Sequence, residues 1–405
     1  MQVAIKKRDN LIRNRIFLNP FFWFVIIWSF VLILHTFNFS RAYPKTSDKM
    51  YVFLYGVIAL SLVLAILFQK LILKNLQRVN ISPKPYWGLI IVPYVILVFE
   101  CILSKNVPLI GALQHKTTYM DFGVPILSGF MYSFAIFVSV ICSIQFVYVD
   151  RNKWLNFLAL ILSYGRFVIV YSRGGLVLCL FITAIIFFSK KRLTYKHFIW
   201  MIIIIILFAL GFNILGNIRM GFSPFDSSYL MEVSQFDKKY SGLSNFSWFL
   251  VYLDTPLGNL LYNEKYIDLV KDTNGLMSQL FPSVISEIIF PDYDPNLTLA
   301  IPNLTVSSMF AGGFKYYGYM GMFIIFIETA SIIFICCLFA RGNSFALLGC
   351  AAVSSVLYAT SFFDNMFYVS GNSFALIYLV LASWFIGRHK YDRLKYEIKS
   401  IVVTQ

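Results

Sequence analysis

Long apolar stretches alternate with short polar ones along most of this chain. Ten of the stretches have about 20 apolar residues, the length that an α-helix needs to cross roughly 30 Å of hydrocarbon. They lie near residues 17–39, 51–69, 86–103, 124–149, 154–171, 174–189, 198–216, 318–340, 344–361 and 372–387. The pattern predicts an all-α integral membrane protein with about ten transmembrane helices.

One long polar run interrupts this pattern between the seventh and eighth predicted spans. It holds ten of the 19 acidic residues and is rich in aromatic residues and proline. A long connection of this composition can fold over a surface, and such loops usually carry function. We therefore expect three regions: 1–216 with seven helices and a basic N-terminus, 217–317 as a large external (periplasmic) loop, and 318–405 with three helices and a basic tail.

The charge distribution predicts the orientation of the chain. Only 13% of the residues are charged, against roughly 25% in soluble domains. If the N-terminus is inside, the inner connections hold 21 of the 34 Lys and Arg residues. This is the positive-inside bias of membrane proteins, so the net charge of +15 does not indicate nucleic-acid binding. We expect both termini to be cytoplasmic and the large loop to be external.

Cysteine usage gives no sign of a disulfide framework or a metal site. All six cysteines fall inside predicted spans, so none is available to cross-link the external loop. We expect neither a metal nor another cofactor.

The fifth and sixth spans are separated only by the short run Tyr171–Gly175, so we expect this turn to lie below the membrane surface. Irregular backbone at that depth is tolerated where it lines a cavity or is buried in protein. Arg166 and Arg173 are seven residues apart, which places them on one helix face about 10 Å apart. Two like charges near hydrocarbon require a counter-charge.

Two sources of that counter-charge are open. Glu100 and Glu328 lie inside predicted spans and can form buried salt bridges with the arginines. Alternatively, a membrane-embedded anion completes the set, with Gly174 and Gly175 allowing the backbone to approach it and donate N–H groups. A guanidinium suits phosphate because its fork binds two oxygens at once.

Two further residues near the large loop are candidates for chemistry. Arg219 arrives at its start, where it either snorkels to the interface or adds to a positive patch. Glu287 follows Val284 and Ile285 and precedes Ile288 and Ile289. A carboxylate enclosed by apolar side chains suits a general base, and the alternative is a glutamate on a helix surface.

Several short segments carry a family resemblance. They are Asn19–Trp28, Tyr43–Lys45, Ser172–Gly175, Pro302–Asn303 and Phe310–Gly321. Together with the single large external loop late in the chain, they resemble the Wzy-type O-antigen or capsular repeat-unit polymerases, which are related to the O-antigen ligases. The resemblance covers most of the chain as architecture and only these segments as motif.

The resemblance implies a GT-C-like multi-span fold in the bacterial cytoplasmic (inner) membrane. It implies a glycosyltransferase that moves a growing glycan from undecaprenyl diphosphate to the terminal sugar hydroxyl of a new lipid-linked repeat. The implied partners are the undecaprenyl diphosphate-linked glycan, membrane lipid, and a chain-length regulator and flippase of the same pathway, with no nucleic acid.

The resemblance also implies roles for individual residues. Glu287, Arg173 and Arg219 are the expected catalytic residues. The expected diphosphate-binding residues are Arg166, Arg173, Gly174, Gly175, Arg219 and Lys315. The expected glycan-binding residues are Asn303, Tyr316 and Tyr317. One departure concerns the spacing of an Arg followed eleven residues later by a Gly, which some of these polymerases carry in external loops and which neither Arg173 nor Arg219 fits.

Other functions remain open. A lipid-linked oligosaccharide flippase is expected to have two similar halves, and this chain shows no internal repeat. An O-antigen ligase depends on a histidine in the large loop, which has none here. A membrane acyltransferase is disfavoured because no loop or span contains a recognisable His–Asp pair.

The first testable prediction concerns topology. Because the basic residues concentrate on one side, reporter fusions at Lys191 and Ser241 should lie on opposite sides of the membrane. Accessibility labelling in intact cells measures this. Finding both positions on the same side would contradict the predicted orientation.

Overall fold

The computed structural model describes residues 11–76, 79, 81–82, 84–113, 122–124, 126–191, 194–293, 297–301 and 304–384. Within these residues the fold is all-helical, and no β-strand is present. The helices are α1 Pro20–Thr36, α2 Asp48–Leu71, α3 Trp87–Ser104, α4 Pro108–Leu113, α5 Leu127–Tyr148, α6 Lys153–Ile169, α7 Arg173–Lys190, α8 Tyr195–Arg219, α9 Ser228–Val233, α10 Ser247–Tyr266, α11 Thr273–Ser278, α12 Ser283–Ile289, α13 Ala311–Ala340, α14 Ser344–Ala359 and α15 Ser370–Trp384.

Six of these helices are long and apolar enough to cross a membrane. They are α2, α3, α5, α7, α8 and α13. The other predicted spans also coincide with helices, namely α1, α6, α14 and α15, but these have 17 residues or fewer in the described part of the chain. The predicted all-helical, multi-span class is therefore confirmed, while the count of ten spans stays a prediction.

The centre of the helix bundle is α14. Every residue from Phe345 to Ala359 is buried, and the helix packs against α1, α7 and α13. Its small residues allow close approach, since an added methyl at Gly349 would lie 2.8 Å from Leu379. A helix that is apolar on all sides is buried in the interior of a protein. This explains why α14, although it has only 16 residues, lies at the core.

The connections predicted to be external meet at one end of the bundle. The Arg41 backbone N–H donates to the Gln235 carbonyl at 3.1 Å, and the Arg41 guanidinium lies 3.2 Å from the Asp237 carboxylate. The backbone N–H of Lys239 and then the Arg41 side chain hold the pKa of Asp237 below its usual value. The α1–α2 connection is thus paired with the large loop.

The connections predicted to be internal meet at the opposite end. The Arg13 backbone N–H donates to the Ser189 carbonyl at 2.9 Å, and the Arg15 guanidinium donates to the Lys74 carbonyl at 2.8 Å. The Gln145 amide reaches the Lys84 carbonyl at 2.8 Å. Segments assigned to one side by their charges are therefore in mutual contact.

The helix α8 lies at the edge of the molecule. Its main packing partners are α10 and the 3₁₀ helix Lys238–Phe246, and most of its apolar side chains are exposed. Its outer end is attached more firmly. The Trp248 backbone N–H donates to the Asn213 side-chain oxygen at 3.1 Å, and the Trp248 indole donates to that of Asn217 at 2.7 Å.

The helix α10 is more deeply placed than its sequence indicates. Its interruption by Asp254, Pro256 and Gly258 favours a helix lying on the membrane interface, whereas the structure buries all three of these residues against α1, α8 and α13. The side-chain amides of Asn259 and Asn263 bond the backbone at residues 298, 300, 304 and 306. This helix therefore organises the large loop from within.

A break in α13 marks the boundary between loop and span. Gly318 has φ of +56° and ψ of −137°, a conformation that suits glycine. The short piece before the break lies against the long piece after it. A methyl on Gly313 would come within 2.7 Å of the Gly321 carbonyl oxygen. The glycines of the Phe310–Gly321 motif thus form this tight reversal, at the residue where the eighth span was predicted to start.

The reversal generates a stability prediction. We expect Gly313→Ala to destabilise the protein by about 1–3 kcal/mol, because a methyl there overlaps backbone that cannot move aside. Thermal unfolding of purified protein in detergent measures the loss. The matched control is Gly56→Ala in α2, where nothing lies within 4 Å of the added methyl and no loss is expected. Equal melting temperatures for the two variants would contradict the tight contact.

Candidate functional site

The two arginines of the fifth and sixth predicted spans, Arg166 and Arg173, lie in different environments. The Arg166 guanidinium donates to the Glu100 carboxylate at 3.0 Å and to the Pro93 carbonyl at 3.0 Å, and Arg166 is only 3% exposed. Of the two alternatives that the sequence leaves open, the salt bridge is therefore the one present for this residue. Arg166 is thus buried and paired with a carboxylate, unlike Arg173, and its assignment as a diphosphate ligand stays a prediction. Glu328 forms no ion pair with either arginine.

Arg173 begins α7 and is exposed. Its guanidinium donates to the Tyr171 hydroxyl at 3.0 Å and lies 4.9 Å from the centre of the Tyr171 ring. Tyr171 has φ of +58°, a conformation rare for residues other than glycine, which directs the turn between α6 and α7. Among the described residues Arg173 has no carboxylate partner, so its exposed guanidinium is positioned by Tyr171 alone within that part of the chain.

The two glycines after Arg173 differ in their surroundings. An added methyl at Gly174 would meet nothing within 4 Å, so its backbone stays open to a ligand. Gly175 is buried, and a methyl there would lie 2.5 Å from the Phe167 ring and 2.9 Å from the Tyr132 ring. Gly175 is thus required for packing, and Gly174 is the glycine that allows close approach.

Tyr132 also joins the start of α7 to the start of α15. A methyl on Gly371 would lie 2.4 Å from the same Tyr132 ring that covers Gly175. Two long helices therefore begin on either side of one aromatic ring. Helix N-termini carry partial positive charge and unpaired N–H groups, so this arrangement adds to the charge of Arg173.

The start of α15 is in contact with the large loop through α12. The Ser283 backbone N–H donates to the Tyr368 carbonyl at 2.7 Å, and the Val284 N–H donates to the Ser370 hydroxyl at 2.9 Å. Glu287 lies on this helix and is exposed, as is the flanking Ile288 at 71%. The expected enclosure of Glu287 by apolar side chains is not found.

Three of the remaining predicted site residues lie where the large loop meets the start of α13. The Lys315 carbonyl accepts from the Val270 N–H at 2.9 Å, and the Tyr317 hydroxyl bonds the Thr273 hydroxyl at 2.9 Å. Tyr316 is buried, with its ring over Gly275, so it packs the loop and does not present a surface to a glycan. Asn303 and the side chain of Arg219 lie outside the described part of the structure.

A buried His–Asp pair is a feature that the sequence did not reveal. The His35 Nδ1 lies 2.7 Å from the Asp254 Oδ1, and the His35 Nε2 lies 3.2 Å from the Pro44 carbonyl oxygen. The Tyr43 hydroxyl bonds that of Thr255 beside them at 2.7 Å, and burial raises the pKa of Tyr43 above its usual value. The pair joins α1 to α10.

The partners of His35 indicate its protonation. With Asp254 ionised, the carboxylate and the Pro44 carbonyl can only accept, so both ring nitrogens donate and the two side chains form an ion pair. The second Asp254 oxygen is buried and has no partner. The His–Asp pair is formed between a predicted span and the large loop, which the expectation of no such pair within one loop or span did not consider. With side chains 4% and 1% exposed, however, the pair is closed to substrate.

Comparisons with known proteins add no constraint on this site. No protein-family model, no curated protein and no solved structure matches the chain. Within the described residues, no group of three His, Cys, Asp or Glu side chains is arranged to hold a metal ion. The geometry of the residues is therefore the basis for assigning a function.

The buried pair predicts a large effect of single substitutions. We expect His35→Ala to lower the free energy of unfolding by about 3–5 kcal/mol, because it leaves the Asp254 carboxylate buried without its counter-charge. Replacing both residues with Leu should recover part of the loss. Chemical denaturation in detergent measures the changes. Arg41→Ala, which removes an exposed partner of Asp237, is the control and should have no measurable effect. A loss in His35→Ala no larger than in that control would contradict a buried charge pair.

Proposed function

We propose that this protein is a membrane glycosyltransferase that polymerises undecaprenyl diphosphate-linked repeat units, as the resemblance to Wzy-type polymerases implies. The observation that carries the proposal is Arg173. It stands at the N-terminus of an 18-residue membrane helix, held by Tyr171 and without a carboxylate partner among the described residues. In this proposal the diphosphate of the lipid-linked substrate supplies the negative charge that pairs with Arg173.

The chemistry explains why a cation is needed there. The acceptor hydroxyl oxygen attacks the anomeric carbon of the growing glycan, and the bond from that carbon to the phosphate oxygen breaks. The lipid diphosphate leaves with the bonding electron pair, so negative charge increases on it in the transition state. Arg173 and the N–H groups at the start of α7 are placed to stabilise that charge, and the fork of a guanidinium suits its two oxygens.

The hydroxyl proton requires an acceptor. Glu287 remains our candidate, because α12 is hydrogen-bonded to the start of α15, which shares Tyr132 with the start of α7. Its carboxylate is exposed and therefore free to meet a sugar hydroxyl. Arg219, at the end of α8 where the large loop begins, is a second candidate for contact with the leaving group.

The proposal predicts activity in a minimal system. Purified protein, given its undecaprenyl diphosphate-linked repeat in detergent without nucleotide or added metal, should build a ladder of longer glycans. Arg173→Ala should reduce the coupling rate by roughly 100-fold, a loss typical of removing one transition-state donor. Arg173→Lys should be similarly impaired, because it keeps the charge but loses the fork. Gel separation of the glycans measures both.

The control is Arg41→Ala, which removes an exposed arginine from the same end of the molecule and should leave the ladder intact. A normal ladder from Arg173→Ala would show that this arginine does not bind the leaving group. If wild-type protein makes no ladder yet moves the lipid-linked repeat across a sealed bilayer, the flippase alternative is correct.

A further inference from the structure

A second polar cluster lies at the outer end of the bundle, where α2 and the long part of α13 begin. We call it the Glu264 cluster, and it consists of Ser47, Glu264 and Tyr319. Glu264 is on the last turn of α10 and is half-buried. Both the Ser47 hydroxyl and the Tyr319 hydroxyl donate to its Oε1 atom.

The hydroxyls that bind Glu264 are themselves held in place. Ser47 is the N-cap of α2, and its oxygen accepts from the Met50 backbone N–H at 3.1 Å. The Tyr319 ring packs against Phe53 and Phe314, with ring centres 5.8 and 5.6 Å apart. Because helix, cap and ring fix the two donors, the carboxylate has one orientation.

The other carboxylate oxygen of Glu264 has no hydrogen-bond partner among the described residues. The hydrogen bonds that these residues make to Glu264 all involve Oε1, and Oε2 is not among the buried atoms that lack a partner. A carboxylate oxygen can accept two hydrogen bonds. A rigidly held acceptor that still reaches solvent is a feature of binding sites, in which a few oriented polar groups determine what binds.

The other acids of the large loop do not share this arrangement. Asp254 is buried in its pair with His35, Asp237 pairs with Arg41, and Asp272 caps α11 through backbone N–H groups. Glu287 is exposed and held by nothing. Among the described residues of the loop, Glu264 is the acid bound only by hydroxyl groups.

We propose that the Glu264 cluster is a glycan-binding subsite, in which Glu264 Oε2 accepts hydrogen bonds from sugar hydroxyls of the growing chain. The proposal rests on the polymerase function proposed above. A sugar offers the same O–H donors that already bind Oε1.

The position of the cluster indicates that it does not take part in the bond-forming step. None of the described contacts of Glu264 reaches Arg173 or Glu287, since its partners lie at the start of α2 and in α13. The helix α11, which packs against α13, is joined to α12 by the Ser286 hydroxyl bond to the Ser278 carbonyl at 2.7 Å. A glycan of several sugars can extend across both helices. Binding energy from remote sugars then keeps the chain on the enzyme between additions, so this subsite determines how long the polymer becomes.

The test is the length of the product made by Glu264→Gln. This substitution keeps an oxygen to accept from Ser47 and Tyr319 and replaces Oε2 with an amide nitrogen. Loss of a hydrogen bond to a charged group corresponds to about tenfold faster release of the glycan. In the detergent assay we therefore expect a shorter modal chain, while the first coupling of two repeats proceeds at the wild-type rate.

A second variant covers the risk that Glu264→Gln folds poorly. Tyr319→Phe keeps the ring packing and removes only the hydroxyl that orients the carboxylate, so it should shorten the product in the same way. Glu232→Gln is the matched control, because Glu232 is an exposed acid of the same loop, and its product should have wild-type length.

Three results are distinguishable. Wild-type chain length from both variants overturns the subsite. Loss of the first coupling in Glu264→Gln, with normal melting, also overturns it, because the residue would then act in the reaction itself. If wild-type protein makes no ladder at all, the polymerase function fails, and the subsite that rests on it fails with it.

Discussion

The buried charge pair between His35 and Asp254 is the contact on which the outer half of the molecule depends. It joins α1, the first helix of the bundle, to α10, the central helix of the large loop. Two buried charges are costly unless each finds its partner, so the pair tolerates one register of α10 against α1. Side chains of α10 then position the neighbouring segments. Asn259 and Asn263 hold the returning chain, and Glu264 reaches α2 and α13.

A second charge pair explains why one arginine is left free. Glu100 neutralises Arg166 within the helix bundle, whereas Arg173 at the next helix start has no carboxylate partner among the described residues. Intramembrane charges that are paired support the fold, and those that are not are the ones to which function is assigned. The same distinction applies to the two acids of α10. Asp254 is buried in its pair with His35, whereas Glu264 is half-buried.

The sequence predicts the helices well because their signal is local. Runs of apolar residues mark the spans, and the glycines of the Phe310–Gly321 segment mark the reversal before the eighth span. Contacts between distant segments have no such signal. His35 and Asp254 are 219 positions apart, and neither is unusual within its own segment. The same limitation applies to Ser47 and Glu264.

Errors at the candidate site have a common physical cause. The apolar neighbours of Glu287 suggest enclosure, but α12 has only seven residues and exposes Ile288 and Ile289 with it. Likewise, Gly174 and Gly175 look equivalent in sequence, yet one faces open space and the other two aromatic rings. Which face of a helix is covered depends on the rest of the fold, which a local pattern does not contain.

The exposed position of α8 has a consequence for the surrounding lipid. At 25 residues the helix is about 37 Å long, longer than a hydrocarbon layer of roughly 30 Å. A helix that exceeds the layer tilts, and the tilt depends on bilayer thickness when few protein contacts oppose it. Since Asn213 and Asn217 attach its outer end to Trp248, a change of tilt pulls directly on the start of α10. Acyl-chain length in the host membrane is therefore coupled to the geometry of the large loop.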